Sequence, residues 1–159
     1  MHEVPRVLHF IVMNSSMTAA TAALIERWVT RNPGWTAYVW CDPATLGANH
    51  AVVAAQAPNV QVRIIDVNAV PGTVSVSHAA ASDALRYLIL QNHGGCFIDT
   101  DVEPGDPLPA LSVSPSSALF ARAVPGRKAV PAIACQSGSQ LIKQQFQECS
   151  LNQTMDKVR

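Results

Sequence analysis

The stretch ASDALRYLILQNHGGCFIDTDVEP, residues 81–104, sets two acidic residues one position apart directly behind a short apolar run. In its first half Ala81, Leu85, Leu88 and Ile89 recur at helical spacing and form an apolar stripe, with Ser82, Asp83 and Arg86 on another side. His93-Gly94-Gly95 closes that helix, because a glycine just past the last turn accepts the left-handed cap conformation. Cys96-Phe97-Ile98 then reads as a short strand, with Asp99 and Asp101 at its carboxyl end. In extended chain residues i and i+2 point the same way, so both carboxylates are expected to face one ligand. Crowded carboxylates repel each other. A hard divalent cation, Mg2+ or Mn2+, relieves the repulsion and leaves positions for diphosphate oxygens.

Upstream, residues 6–13 (RVLHFIVM) have the continuous apolar character of a strand buried on both faces. Met17, Ala20, Leu24 and Trp28 follow at helical spacing, with Asn14, Ser15 and Ser16 as the expected N-cap and Asn32-Pro33-Gly34 as the stop. Residues 35–40 predict a second strand, 44–56 a helix, 60–67 a third strand, 68–77 a surface loop beside the ligand, and 79–92 the helix already described. Such alternation implies an α/β layered fold with a mainly parallel sheet and a site outside the carboxyl ends of its strands. Beyond Asp106 prolines interrupt the pattern, with strands expected at 118–124 and 130–135 and a helix at 140–149.

Eleven Lys and Arg balance eleven Asp and Glu, which removes any general electrostatic attraction to nucleic acid or an anionic membrane. No segment approaches the ~20 apolar residues of a membrane span and no export signal opens the chain, so a cytoplasmic protein without a transmembrane segment is expected. The four cysteines form no C-x-x-C pair and are expected as reduced, buried thiols. His9, inside an apolar strand, reads as a core residue, as do Trp28, Trp35 and Trp40, whereas His78 receives no role.

Spacing alone makes Asp83 and Arg86 an exposed helix ion pair worth ~0.2–0.5 kcal/mol. An EF-hand loop starting at Asp99 would need Gly and Glu where Pro104 and Ala110 stand, and is excluded. A two-aspartate phosphohydrolase, with Asp99 as nucleophile and Asp101 as acid/base, stays open on residue chemistry.

Taken together, S-D-x-L-R-Y and G-G-x-x-x-D-x-D-V resemble the DXD-containing sugar-transferase family that includes yeast initiating α-1,6-mannosyltransferase-like proteins and the catalytic domains of the large clostridial glucosylating toxins. VPRVLHFI and NPGWTAYVWCD are similar to two further segments of that family, so the likeness runs over residues 4–104. It implies a GT-A fold, Rossmann-like with a mainly parallel sheet, in a short version: one domain over residues 1–159, with a nucleotide-sugar-binding half (1–106) and a partial C-terminal portion (107–159). The implied activity is metal-dependent, retaining transfer of a sugar from a UDP-sugar or GDP-mannose to a glycan, lipid or protein. In that picture Asp101 ligates Mn2+ or Mg2+, and Asp99 contacts ribose or sugar and supports the metal. Asp83 and Arg86 hold sugar hydroxyls and the diphosphate, and Ser82 assists. Val12 stands where the family places a base-stacking Trp. Because family domains continue further, a truncated or inactive nucleotide-sugar-binding domain is the alternative.

Overall fold

Alternation along VLHFIV divides the first long strand between two cores: Leu8 and Phe10 join one hydrophobic cluster, Ile11 joins the other, and all three are buried. A strand of this kind needs cover on both faces. The computed structural model describes residues 2–13, 16–65, 78–120 and 132–144, apart from the side chains of 78–83 and Phe120. In chain order the elements are β1 (His2–Glu3), β2 (Val7–Val12), α1 (Ala19–Arg31), β3 (Thr36–Cys41), a 3-10 turn (Pro43–Thr45), α2 (Leu46–Gln56), β4 (Val60–Ile64), α3 (His78–His93), β5 (Gly95–Ile98), β6 (Ser112–Val113), β7 (Ala118–Phe120) and β8 (Ala132–Cys135).

Among the described residues the main sheet has six strands in the order β4-β3-β2-β5-β8-β7. β4, β3, β2 and β5 are mutually parallel, while β8 runs antiparallel to both β5 and β7. The chain builds outward from β2 to β4, then returns to add β5 on the other side of β2 in the register Leu8↔Cys96 and His9↔Phe97. That reversal opens a crevice beyond the carboxyl ends of β2 and β5, where open α/β sheets bind ligands. Ala22, Leu24, Ile25 and Trp28 of α1 and Val53 of α2 cover the Leu8/Phe10 side. Leu85, Ile89 and Leu90 of α3 cover Ile11, Phe97 and Ile133 on the opposite side.

The expected helices and parallel strands are present, with informative differences at their ends. The N-cap of α1 is Thr18, whose hydroxyl accepts from the Thr21 N–H at 3.1 Å, rather than residues 14–16. Pro43 to Thr45 form a 3-10 turn before α2 begins, with Pro43 at the first position, where a missing N–H leaves no hydrogen bond unmade. The short β1–β6 ribbon had no legible signal. The expected loop at 68–77, and the parts of the expected strands and last helix at 66–67, 121–131 and 145–149, lie outside the described residues. Cys41, Cys96 and Cys135 are buried free thiols, and burial raises Cys96 and Cys135 to about 12, so they are inert. Cys149 lies outside the described residues.

His9 is fully buried yet satisfied on both nitrogens. Trp40 Nε1–H can only donate, so Nδ1 of His9 accepts at 3.1 Å and Nε2–H donates to the Gly94 carbonyl at 2.8 Å. Burial, assisted by the nearby His93 and Arg63 against the opposing Gly94 bond, lowers His9 from 6.5 to about 4. A second proton would also set a donor against the Trp40 donor. Gly95 has φ +99°, and a Cβ there would lie 2.6 Å from the Val7 carbonyl oxygen and 3.1 Å from His9 Nε2. Gly94 has φ +64°, and its Cβ would lie 2.7 Å from the Ser137 nitrogen. These two glycines are what allow α3 to turn directly into the sheet.

Two measurements follow. Gly95→Ala should lose roughly 2–4 kcal/mol in urea unfolding, combining overpacking against backbone with positive-φ strain, whereas Gly47→Ala, which meets open space within α2, should gain up to about 1 kcal/mol. In NMR the His9 ring should titrate near 4. Since the unfolded chain takes up this proton at ~6.5, His9 contributes stability above that pH and loses up to about 3 kcal/mol of it as pH falls toward 4. A native His9 titrating near 6.5 would overturn this.

Candidate functional site

Strand β5 is buried throughout, and the chain turns as it leaves it: the Val102 N–H donates to the Asp99 carbonyl at 3.2 Å. Asp99, Thr100 and Asp101 therefore occupy a turn, not the extended chain from which co-directed carboxylates were expected. Asp99 is half-buried and Asp101 is exposed. Both carboxylates still emerge at the carboxyl end of β5, but on a curved backbone, so strand alternation no longer fixes their directions.

Helix α1 holds the exit of this turn. Trp28 Nε1–H donates to the Val102 carbonyl at 2.7 Å, Arg27 pairs with both carboxylate oxygens of Glu103 at 2.7 and 3.1 Å, and Arg31 donates to the Gly105 carbonyl at 3.0 Å. The first contact comes from a side chain only 7% exposed, whereas the ion pair is open to water on both partners. The indole bond is consequently the firmer tether.

Arg86 departs from the exposed ion-pair member that its spacing suggested: it is only 5% exposed. Its guanidinium carbon lies 5.3 Å from the Phe97 ring centroid and 5.6 Å from that of Tyr87. Phe97 precedes Asp99 by two residues in the same chain segment, so α3 brings Arg86 against the strand that carries the aspartates. The side chains of Ser82 and Asp83 lie outside the described residues, although their backbone belongs to α3.

At the carboxyl end of β2 a cavity of about 250 Å³ is lined by Ile11, Val12 and Met13, by Ser16, Met17, Thr18 and Thr21, and by Thr100 between the two aspartates. Val12 and the aspartate turn thus border one space. Met13, Met17, Thr18 and Thr21 were not read as site residues from the sequence; the signal that could have found them was position after the first strand of an α/β pattern. A larger cavity, about 500 Å³, is lined by Ser116, Gln140, Leu141, Lys143 and Gln144 and holds none of the candidate site residues. Among the described residues no three His, Cys, Asp or Glu side chains group as a metal site, and no helix is long and apolar enough to cross a membrane.

Residues 18–118 match the family described as the glycosyltransferase sugar-binding region containing a DXD motif, which is more than half of the chain. Subversion of eukaryotic traffic protein A of Legionella pneumophila is 23% identical over 156 residues, covering 89% of this chain and 24% of that protein. The fold is that of the PaToxG glycosyltransferase (TM-score 0.71, 17% identity, 97% of this chain and 62% of that one). It is equally that of the UDP-bound glycosyltransferase domain of the YGT toxin (TM-score 0.70, 12% identity, 97% of this chain and 63% of that one). The expected GT-A architecture is therefore present, and the chain spans under two thirds of either toxin domain.

The two tethers on the aspartate turn can be ranked. Trp28→Phe, which deletes the buried N–H and leaves the Val102 carbonyl without it, should cost at least ~1 kcal/mol in urea unfolding; Arg27→Ala should cost less than ~1 kcal/mol. The opposite order would show that the solvent-exposed ion pair is the stronger hold.

Proposed function

Because the chain belongs to the family of glycosyltransferases whose sugar-binding region contains a DXD motif, we propose that it binds a nucleotide-sugar donor, a UDP-sugar or GDP-mannose, with Mn2+ or Mg2+ and transfers the sugar with retention to a glycan, lipid or protein. One observation carries this reading: Thr100, set between the two aspartates, shares a cavity with Val12 at the crevice where the strand order reverses. The whole of residues 1–159 is read as one domain, with 1–106 as the donor half and 107–159 as a partial C-terminal portion.

The donor set suits a hard cation. Two carboxylates on an accessible turn can hold Mg2+ or Mn2+ through oxygen and leave its remaining positions to diphosphate and water. Asp101 is the direct ligand in this reading, and Asp99 supports the metal and contacts ribose or sugar. When bound, the cation would offset charge developing on the departing diphosphate. Arg86 supplies fixed positive charge from the protein itself. Its stem is buried and its plane lies near two aromatic rings, so little freedom remains to be lost when it meets an anion. Asp83 and Ser82, from the same helix, complete the set toward the sugar hydroxyls. Buried free thiols suit a reducing compartment such as the cytoplasm. The two-aspartate phosphohydrolase reading gains nothing from the family match.

Calorimetry with UDP-glucose and GDP-mannose, with and without Mn2+, tests the assignment. Wild type should bind at least one donor in a metal-dependent way, and Asp101→Ala should weaken that binding by about ten- to a hundredfold, as expected for a lost charge-assisted contact. Arg86→Lys, which keeps the charge but not the planar fork, should weaken donor binding several-fold without unfolding the protein. Equal uptake by wild type and Asp101→Ala, with and without metal, would sink the site assignment.

A further inference from the structure

Among the described residues the cavity beside Thr100 has walls without charge: Val12 and Met13 close the end of β2, and Met17, Thr18 and Thr21 close the start of α1. Hydroxyls and thioethers suit the uncharged end of a nucleotide, base and ribose, and offer nothing to balance phosphate. One wall of this space is not anchored by its own helix. The Met17 N–H, which precedes the helix cap, donates to Asn49 Oδ1 at 2.7 Å, thirty-two positions away in α2.

Asn49 is fully buried, and its amide is oriented unambiguously. Nδ2 donates to Thr45 Oγ1 at 3.2 Å, and Thr45 Oγ1 in turn donates toward Asp42 Oδ1 at 3.0 Å. A flipped amide would put NH2 against the Met17 N–H, so the relay Asp42–Thr45–Asn49–Met17 has a single polarity. It begins at the carboxyl end of β3 and ends on the cavity wall. A full buried amide used to hold one backbone N–H beside a ligand-sized space is more than helix packing requires.

We propose that Asn49 is a positioning residue for the nucleoside end of the donor: through the Met17 N–H it fixes the cavity wall against which base and ribose are seated. The inference rests on the donor-binding reading above. Asn49→Leu keeps the volume and leaves the Met17 N–H without its acceptor; Thr45→Val keeps Asn49 and removes the link to Asp42.

The test compares probes by calorimetry in Mn2+, below the unfolding range of each variant: UDP (GDP in its place throughout if wild type prefers the guanine base), which needs the nucleoside wall, and inorganic pyrophosphate, which does not. Wild type should bind UDP more tightly than pyrophosphate. Asn49→Leu should weaken UDP by about tenfold, the scale of one orphaned buried donor, and leave pyrophosphate within about twofold. Thr45→Val should show the same selectivity with a smaller loss, and it carries the test alone if Asn49→Leu fails to fold. Equal weakening of both probes would reveal a general structural role and overturn the proposal, as would no change in either. Wild type that binds neither UDP nor GDP better than pyrophosphate would show that the cavity is not the nucleoside seat. Wild type that binds none of the three would instead remove the donor-binding reading on which the proposal rests.

Discussion

The bond from His9 Nε2–H to the Gly94 carbonyl joins the centre of β2 to the junction between α3 and β5, eighty-five positions away. Everything at the site depends on that junction. Gly95 lies so close to the Val7 carbonyl that no side chain fits, which brings β5 directly alongside β2 and sets the register from which the aspartate turn emerges. Because Trp40 fixes the other ring nitrogen, His9 also ties β3 into the same arrangement. A buried polar group normally costs stability unless satisfied; here both nitrogens are satisfied, and the result is a specific register rather than generic adhesion. The imidazole thus holds together β2, β3 and the junction that leads into β5.

Much of this was legible in the sequence for definite reasons. Apolar runs at 6–13 and 96–98, helical spacing from Met17 to Trp28, and the paired glycines each reflect a local constraint that tertiary context had no reason to override. The capping residue of α1 was misplaced because Ser15, Ser16 and Thr18 all carry the required hydroxyl, and only the chain path out of β2 chooses among them. Arg86 was harder. Its spacing from Asp83 is the same for a surface pair and for a buried guanidinium, and only the placement of Phe97 beneath it decides between them. Asn49 had no signal at all, since a lone asparagine within an alanine-rich helix is indistinguishable from a solvated one until its long-range partner is known.

The direction of the two aspartates illustrates a different limit. Alternation predicts facing within a strand, but β5 ends at Ile98, and a turn closed by the Asp99 carbonyl takes over. β pairing no longer holds the chain there, and α1 grips the backbone just beyond the aspartates. Trp28 belongs to the hydrophobic core and simultaneously donates to the turn, so the same side chain couples core integrity to the placement of the motif. A turn held in this way can adjust by small changes at Asp99 and Asp101 without disturbing the sheet, which suits the cation-binding role proposed for them.

Charge distribution completes the argument for a diphosphate rather than a polyanion. The chain has no net charge, so selectivity for an anion has to come from a few placed groups instead of a field over the surface. Arg86 fits that requirement because its burial forces one orientation. A lysine at the same position would present a point charge on a freely turning stem, whereas the guanidinium is planar, retains its charge when desolvated, and lies near two rings whose faces tolerate it. The cavity that Thr100 of the acidic turn lines has no charged residue among its described lining. In the proposed reading the ligand has a neutral heterocyclic end against this cavity and a diphosphate at the acidic turn. A nucleotide sugar has those parts, whereas a nucleic acid strand would bring repeated charge to a chain whose net charge of zero gives no general attraction to it.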